Sequence, residues 1–129
     1  MKRMLLFVAV SLITLSNVFA CDFLFKSEDL CMEVKWEVLP PARSNGTLVL
    51  TFTDAKDPSR LVTPKSTPQV VLWMSSMGHG SKPTTLNYVD VGQFRSTDVF
   101  FVMGGPWDVK YQLKDGNKVV EELVQKIKI

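Results

Sequence analysis

Trp107-Asp108-Val109-Lys110-Tyr111-Gln112-Leu113 alternates apolar and polar side chains without a break, and Asp115-Gly116-Asn117 follows it. A period of two puts one apolar row on a single face of a strand. Asp-Gly is a hairpin turn signal. Val119 to Ile129 supplies the return strand. Lys126-Ile127-Lys128-Ile129 alternates, while Glu121-Glu122-Leu123-Val124 alone would also suit a helical turn. A strand with a bulge near Glu121-Glu122 is expected.

The same period runs outward from this hairpin. Val34, Trp36 and Val38 alternate with Glu33, Lys35 and Glu37. Leu48, Leu50 and Phe52 form a second row, Val70, Leu72 and Met74 a third, and Val99, Phe101 and Met103 a fourth. The last two rows have apolar residues on both faces. Pro40-Pro41 through Asn45-Gly46 reads as a turn-rich link. Asp57-Pro58, Pro64, Pro68 and Lys82-Pro83 break loops, and Gly104-Gly105-Pro106 separates two strong strands. The spacing predicts an all-β, immunoglobulin-like β-sandwich of about seven strands. Trp36, Phe52, Leu72, Phe101, Trp107 and Tyr111 supply its bulky core, each worth ~1.5–3 kcal/mol when fully buried.

The 129 residues suit one domain, at 46% hydrophobic and 22% charged. The formal charge of +2 comes from the first 20 residues. Lys2 and Arg3 are the only charges there, and the remainder carries 13 basic and 13 acidic side chains. A working domain without basic excess speaks against a nucleic-acid partner.

Residues 1–20 read as a cleavable signal peptide. Lys2 and Arg3 form its positive start, and Met4 to Leu15 its short apolar run. Val18 and Ala20 supply the small residues before the cut. The alternative is an N-terminal anchor that stays attached. The expected division is 1–20 signal peptide, 21–31 N-terminal segment and 32–129 sandwich domain. Localisation follows as periplasmic or secreted.

Cleavage after Ala20 leaves Cys21 first. Val18, Ala20 and Cys21 resemble a bacterial lipobox, whose cysteine is lipidated, although Phe19 is large for it. The other reading is a Cys21–Cys31 disulfide, favoured by export. The two exclude each other, and the sequence leaves both open. A lipid on Cys21 is the only membrane contact expected.

Trp73-Met74-Ser75-Ser76-Met77-Gly78-His79-Gly80-Ser81 holds the single histidine and reads as a loop leaving a strand. Thioether and imidazole together suit soft or borderline metals, copper above all. Met77 and His79 would point the same way in an extended loop. Met103, ending a strand before Gly104-Gly105, is a third candidate ligand. Met74 is a fourth, although its alternation fits core packing equally well.

Met74-Ser75-Ser76-Met77-Gly78-His79-Gly80 resembles the M-P-x-M-G-H-G segment of bacterial YtkA-like and FixH-like domains. Phe101-Val102-Met103-Gly104-Gly105-Pro106-Trp107 is similar to their second landmark, F-x-M-x-G-x-W. Gly92-Gln93-Phe94 matches a Gly-x-Tyr/Phe step. The resemblance covers residues 32–129 and departs at Ser75, where that family often has Pro. It implies a small exported immunoglobulin-like sandwich with a copper site at Met77, His79 and Met103, joined by Met74. FixH itself keeps a membrane helix, which this chain lacks beyond residue 20.

Two functional classes follow. One is a copper carrier or buffer of the cell envelope, monomeric, favouring Cu(I) and passing it to a recipient protein. The other is a metal-free interaction module of the envelope. Catalysis is not expected: Ser76, Ser81, Asp90 and Asp98 make no convincing triad with one histidine, and no phosphate-cradling loop opens a helix. Asn45-Gly46-Thr47 has the form of a glycosylation triplet and reads as a turn.

Overall fold

The computed structural model describes residues 21–129. The expected signal peptide, 1–20, lies outside them. Nine strands follow in order: β1 Phe23–Phe25, β2 Leu30–Val38, β3 Asn45–Asp54, β4 Thr67–Met74, β5 His79–Gly80, β6 Asn87–Asp90, β7 Gln93–Phe100, β8 Pro106–Asp115 and β9 Lys118–Lys128. They form two antiparallel sheets, ordered β1-β2-β3-β7-β6 and β5-β4-β8-β9. Setting β1 aside, this is the A-B-E-D and C′-C-F-G order of immunoglobulin sandwiches.

The alternating rows build the core between the sheets. Leu48, Leu50 and Phe52 of β3 face Val70, Leu72 and Met74 of β4 and Trp107, Val109, Tyr111 and Leu113 of β8, all buried. Trp36, expected in this core, is only half-buried at its margin. The count is nine, against about seven expected, because three short edge strands, β1, β5 and β6, join the six long strands. Asn87-Tyr88-Val89-Asp90 is exposed throughout and carries no inward row. The first half of β7 is hidden differently: its inward residues are Phe94 and the fully buried Ser96, whose hydroxyl donates to Asp98.

Asn45-Gly46 is not a turn but the start of β3. The turn falls earlier, with Arg43 at φ 62°. Gly46 is needed for close approach instead: a Cβ there would stand 2.6 Å from the Val38 carbonyl oxygen. The glycosylation triplet is therefore strand, not loop. The β8–β9 hairpin forms as read, with Gly116 at φ 59° first of two central residues, as in a type II′ turn. The bulge falls at Val120, one residue before the expected place, between the pairs Lys114↔Val119 and Leu113↔Glu121.

Glu121 joins the sheets across one edge. Its carboxylate accepts the N–H groups of Lys26 (3.0 Å) and Ser27 (2.8 Å), just beyond β1. Burial pushes the Glu121 carboxyl up, but the Ser27 and Lys26 donors outweigh it and hold the pKa below the ordinary value of 4.5. A carboxyl depressed in the fold stabilises above its unfolded pKa, and that stability is lost as pH falls through the folded value. Glu121→Gln is therefore expected to cost about 1 kcal/mol at neutral pH, discounted for solvent screening. Urea unfolding at pH 7 and over a series of falling pH values measures this, and the difference should shrink as the pH falls through the folded value.

Cys21 and Cys31 are joined as a disulfide, tying the start of the described chain to β2. In this bonded state Cys21 Sγ is not available to a lipid.

Candidate metal-binding end of the sandwich

Three connections meet at one end of the sandwich: residues 39–44 between β2 and β3, 75–78 between β4 and β5, and 101–105 between β7 and β8. Arg43 N–H donates to Phe101 O at 2.8 Å, joining the first to the third. Gly105 exchanges two backbone hydrogen bonds with Ile129, 2.8 and 2.9 Å, which fixes the third against the end of β9.

The Met/His stretch is a tight hairpin rather than an extended loop. Met77 and Gly78 N–H both donate to Met74 O, at 3.2 and 2.9 Å, and Gly78 sits at φ 65°. That conformation favours glycine. The turn overrides the two-residue rule by which Met77 and His79 would share a direction. Met77 stands at the turn, 58% exposed. His79 instead begins β5, pairs with Met74 and is half-buried.

Cross-strand partners share a face of the sheet. Met74 points into the core at 1% exposure, so His79 is drawn to the same side. Its ring meets Trp107 edge-on, with centroids 6.0 Å apart. Trp107 is buried and donates its indole N–H to Met103 O at 2.9 Å. Met103 does not end a strand: β7 stops at Phe100, and Met103 lies half-buried in the following bends. Met74 reaches this loop from beneath, because a Cβ on Gly105 would lie 3.1 Å from its terminal methyl. His79 thus packs on Trp107, the Met103 carbonyl holds the same indole, Met74 reaches Gly105 of the Met103 loop, and Met77 stands exposed at the turn.

Trp107 is the residue the sequence reading missed as part of this end. Its alternation places it in the core, and the resemblance places it in a family landmark. The signal was its place four residues after Met103, across a Gly-Gly-Pro break that folds the indole back onto the methionine carbonyl.

The His79 ring is oriented by a second contact. Nδ1 lies 2.9 Å from Gly80 O. A carbonyl only accepts, so Nδ1 is the donor in this contact, and in the neutral ring Nε2 is then the nitrogen with the lone pair. Metal-binding histidines commonly donate their second ring N–H to a carbonyl in this way. Among the described residues no group of three or more His, Cys, Asp or Glu side chains converges. An ion held at this end would rest on thioethers and one imidazole, a donor set suited to copper.

Three of the four groups weighed as a triad are engaged elsewhere. Ser81 Oγ donates to Phe100 O. Asp98 accepts from Ser96 Oγ and Thr85 N–H; burial raises its pKa, and these bonds outweigh that and hold it low. Asp90 accepts the N–H of Val91 at 2.7 Å. Comparisons with protein-family models, curated proteins and solved structures match nothing to this chain.

Proposed function

We propose that this chain is an exported YtkA/FixH-like domain that binds copper through Met77, His79 and Met103 and carries or buffers it in the cell envelope. The observation that supports this reading is the His79 ring, whose Nδ1–H is committed to Gly80 O and whose Nε2 is left as a donor. His79 supplies the one nitrogen, while Met77 and Met103 supply polarisable sulfur that favours Cu(I). Met74 packs beneath the site. Trp107 holds the Met103 loop and screens one side of His79 from water. An exposed methionine at a surface turn suits release to a recipient protein, because a ligand at the rim can exchange without opening the core. The ion is cargo in this reading, and no catalytic step is assigned.

Titration with Cu(I) against a competing chelator tests it. Cu(I) should be generated with ascorbate rather than a thiol, so that the disulfide survives. One equivalent per chain is expected, with at least a hundredfold loss of affinity in a Met77→Ala/His79→Ala variant of unchanged circular dichroism, since about two ligand bonds are removed. No uptake by the folded wild-type protein, or equal uptake by the variant, contradicts the reading.

A further inference from the structure

Beyond β5 the chain leaves its sheet. Ser81 Oγ donates to Phe100 O, and the Lys82 ammonium sits 4.4 Å above the centre of the Phe100 ring. Both contacts draw residues 81–84 toward β7 and away from β4. An open slot remains between, lined by Val70, Val71, Leu72, Trp73, Pro83 and Thr84.

One wall of the slot is an unpaired sheet edge. Met74 O receives its two turn donors on the β5 side. Leu72 O also faces β5, 3.1 Å from where a Cβ of Gly80 would stand. By the two-residue period, Val70 turns its N–H and C=O to that side. Pairing with β5 stops at Trp73↔Gly80. Val70 is paired with Tyr111 of β8 on its other side, and among the described residues no turn or loop bonds its backbone groups. Pro68, next in the row, has no N–H to leave unmet, which suits an edge.

The outermost strands β1, β6 and β9 are poorer templates. β1 has three residues, β6 has four with a register shift, and β9 is broken by the bulge at Val120. The β4 slot is bounded on both sides, by β4 and by residues 81–84, a form that suits a single extended chain rather than the sheet edge of a second copy. Lys82 is the only charged side chain lining it, and Lys110 lies nearby, 5.6 Å over the Trp73 ring. We propose that this slot takes an extended segment of a partner protein, with alternating apolar and acidic side chains, as an added strand on β4. Backbone bonds to Val70 and Leu72 would give affinity, and Lys82 would select acidic side chains.

The test uses the disulfide-bonded protein and synthetic hexapeptides that alternate valine and glutamate. The NMR amide signals of Val70 and Leu72 are expected to shift saturably. Methylating alternate backbone nitrogens of the peptide should abolish the effect, and Lys82→Glu should weaken binding about fivefold. Three results would overturn the proposal. No peptide shifts these two signals, or the methylated peptide binds as well, or the signals follow protein concentration alone, which would mark self-association.

Discussion

Trp107→Ala is expected to lower stability by about 3–5 kcal/mol, the usual cost of emptying a buried tryptophan site. The indole is 1% exposed, packs on Phe101 at 5.3 Å between centroids, and holds the β7–β8 loop through Met103 O. Small domains have only about 5–15 kcal/mol in hand, so this variant should sit near the edge of folding. Urea unfolding followed by circular dichroism measures it. Trp107→Phe separates the two roles. It keeps most of the apolar area but leaves Met103 O without its donor, at a cost of about 1–2 kcal/mol. On the copper reading, this milder variant stays folded yet binds Cu(I) more weakly, because the Met103 loop is no longer tied to the indole that packs on His79. Wild-type affinity in a folded Trp107→Phe protein would remove Trp107 from the site.

Reducing the Cys21–Cys31 bond is the second large perturbation. The bridge closes a loop with a sequence separation of 10. Loop-closure entropy for that length is worth about 2.5 kcal/mol. The bond also positions β1, whose Phe23 ring lies 5.2 Å from that of Tyr111 on β8 and whose following residues bond Glu121. Reduction should therefore lower the melting temperature by roughly 10 °C. It should also release the Lys26 and Ser27 amides to fast hydrogen exchange. A melting temperature unchanged by reduction would show that β1 is held without the bridge. The result also bears on export, since such a bond persists in an oxidising compartment.

The sheets were legible where burial is one-sided. The rows Leu48/Leu50/Phe52 and Trp107/Val109/Tyr111/Leu113 face the core, and their polar neighbours face water. Short edge strands were not legible, because β6 is exposed on both faces and β5 has two residues. Ser96 hid part of β7 by being polar, buried and bonded to Asp98. Asn45-Gly46 misled because turn chemistry and close packing call for the same residue: Gly46 is small for the sake of Val38 and Pro40. At the candidate site, the residue types were legible but their directions were not. The Gly78 turn rotates Met77 away from the extended geometry, and the pairing of His79 with Met74 sets where the imidazole lies. No local pattern carries that pairing. The tie between Trp107 and Met103 was equally hidden, since it depends on a loop closing against Ile129, just beyond β9.

X-ray absorption at the copper edge of the Cu(I)-loaded, disulfide-bonded protein tests the central claim most directly. The account predicts two sulfur scatterers and one nitrogen around the ion, falling to one sulfur in Met103→Leu. A shell of nitrogen and oxygen alone, unchanged by that substitution, would contradict it.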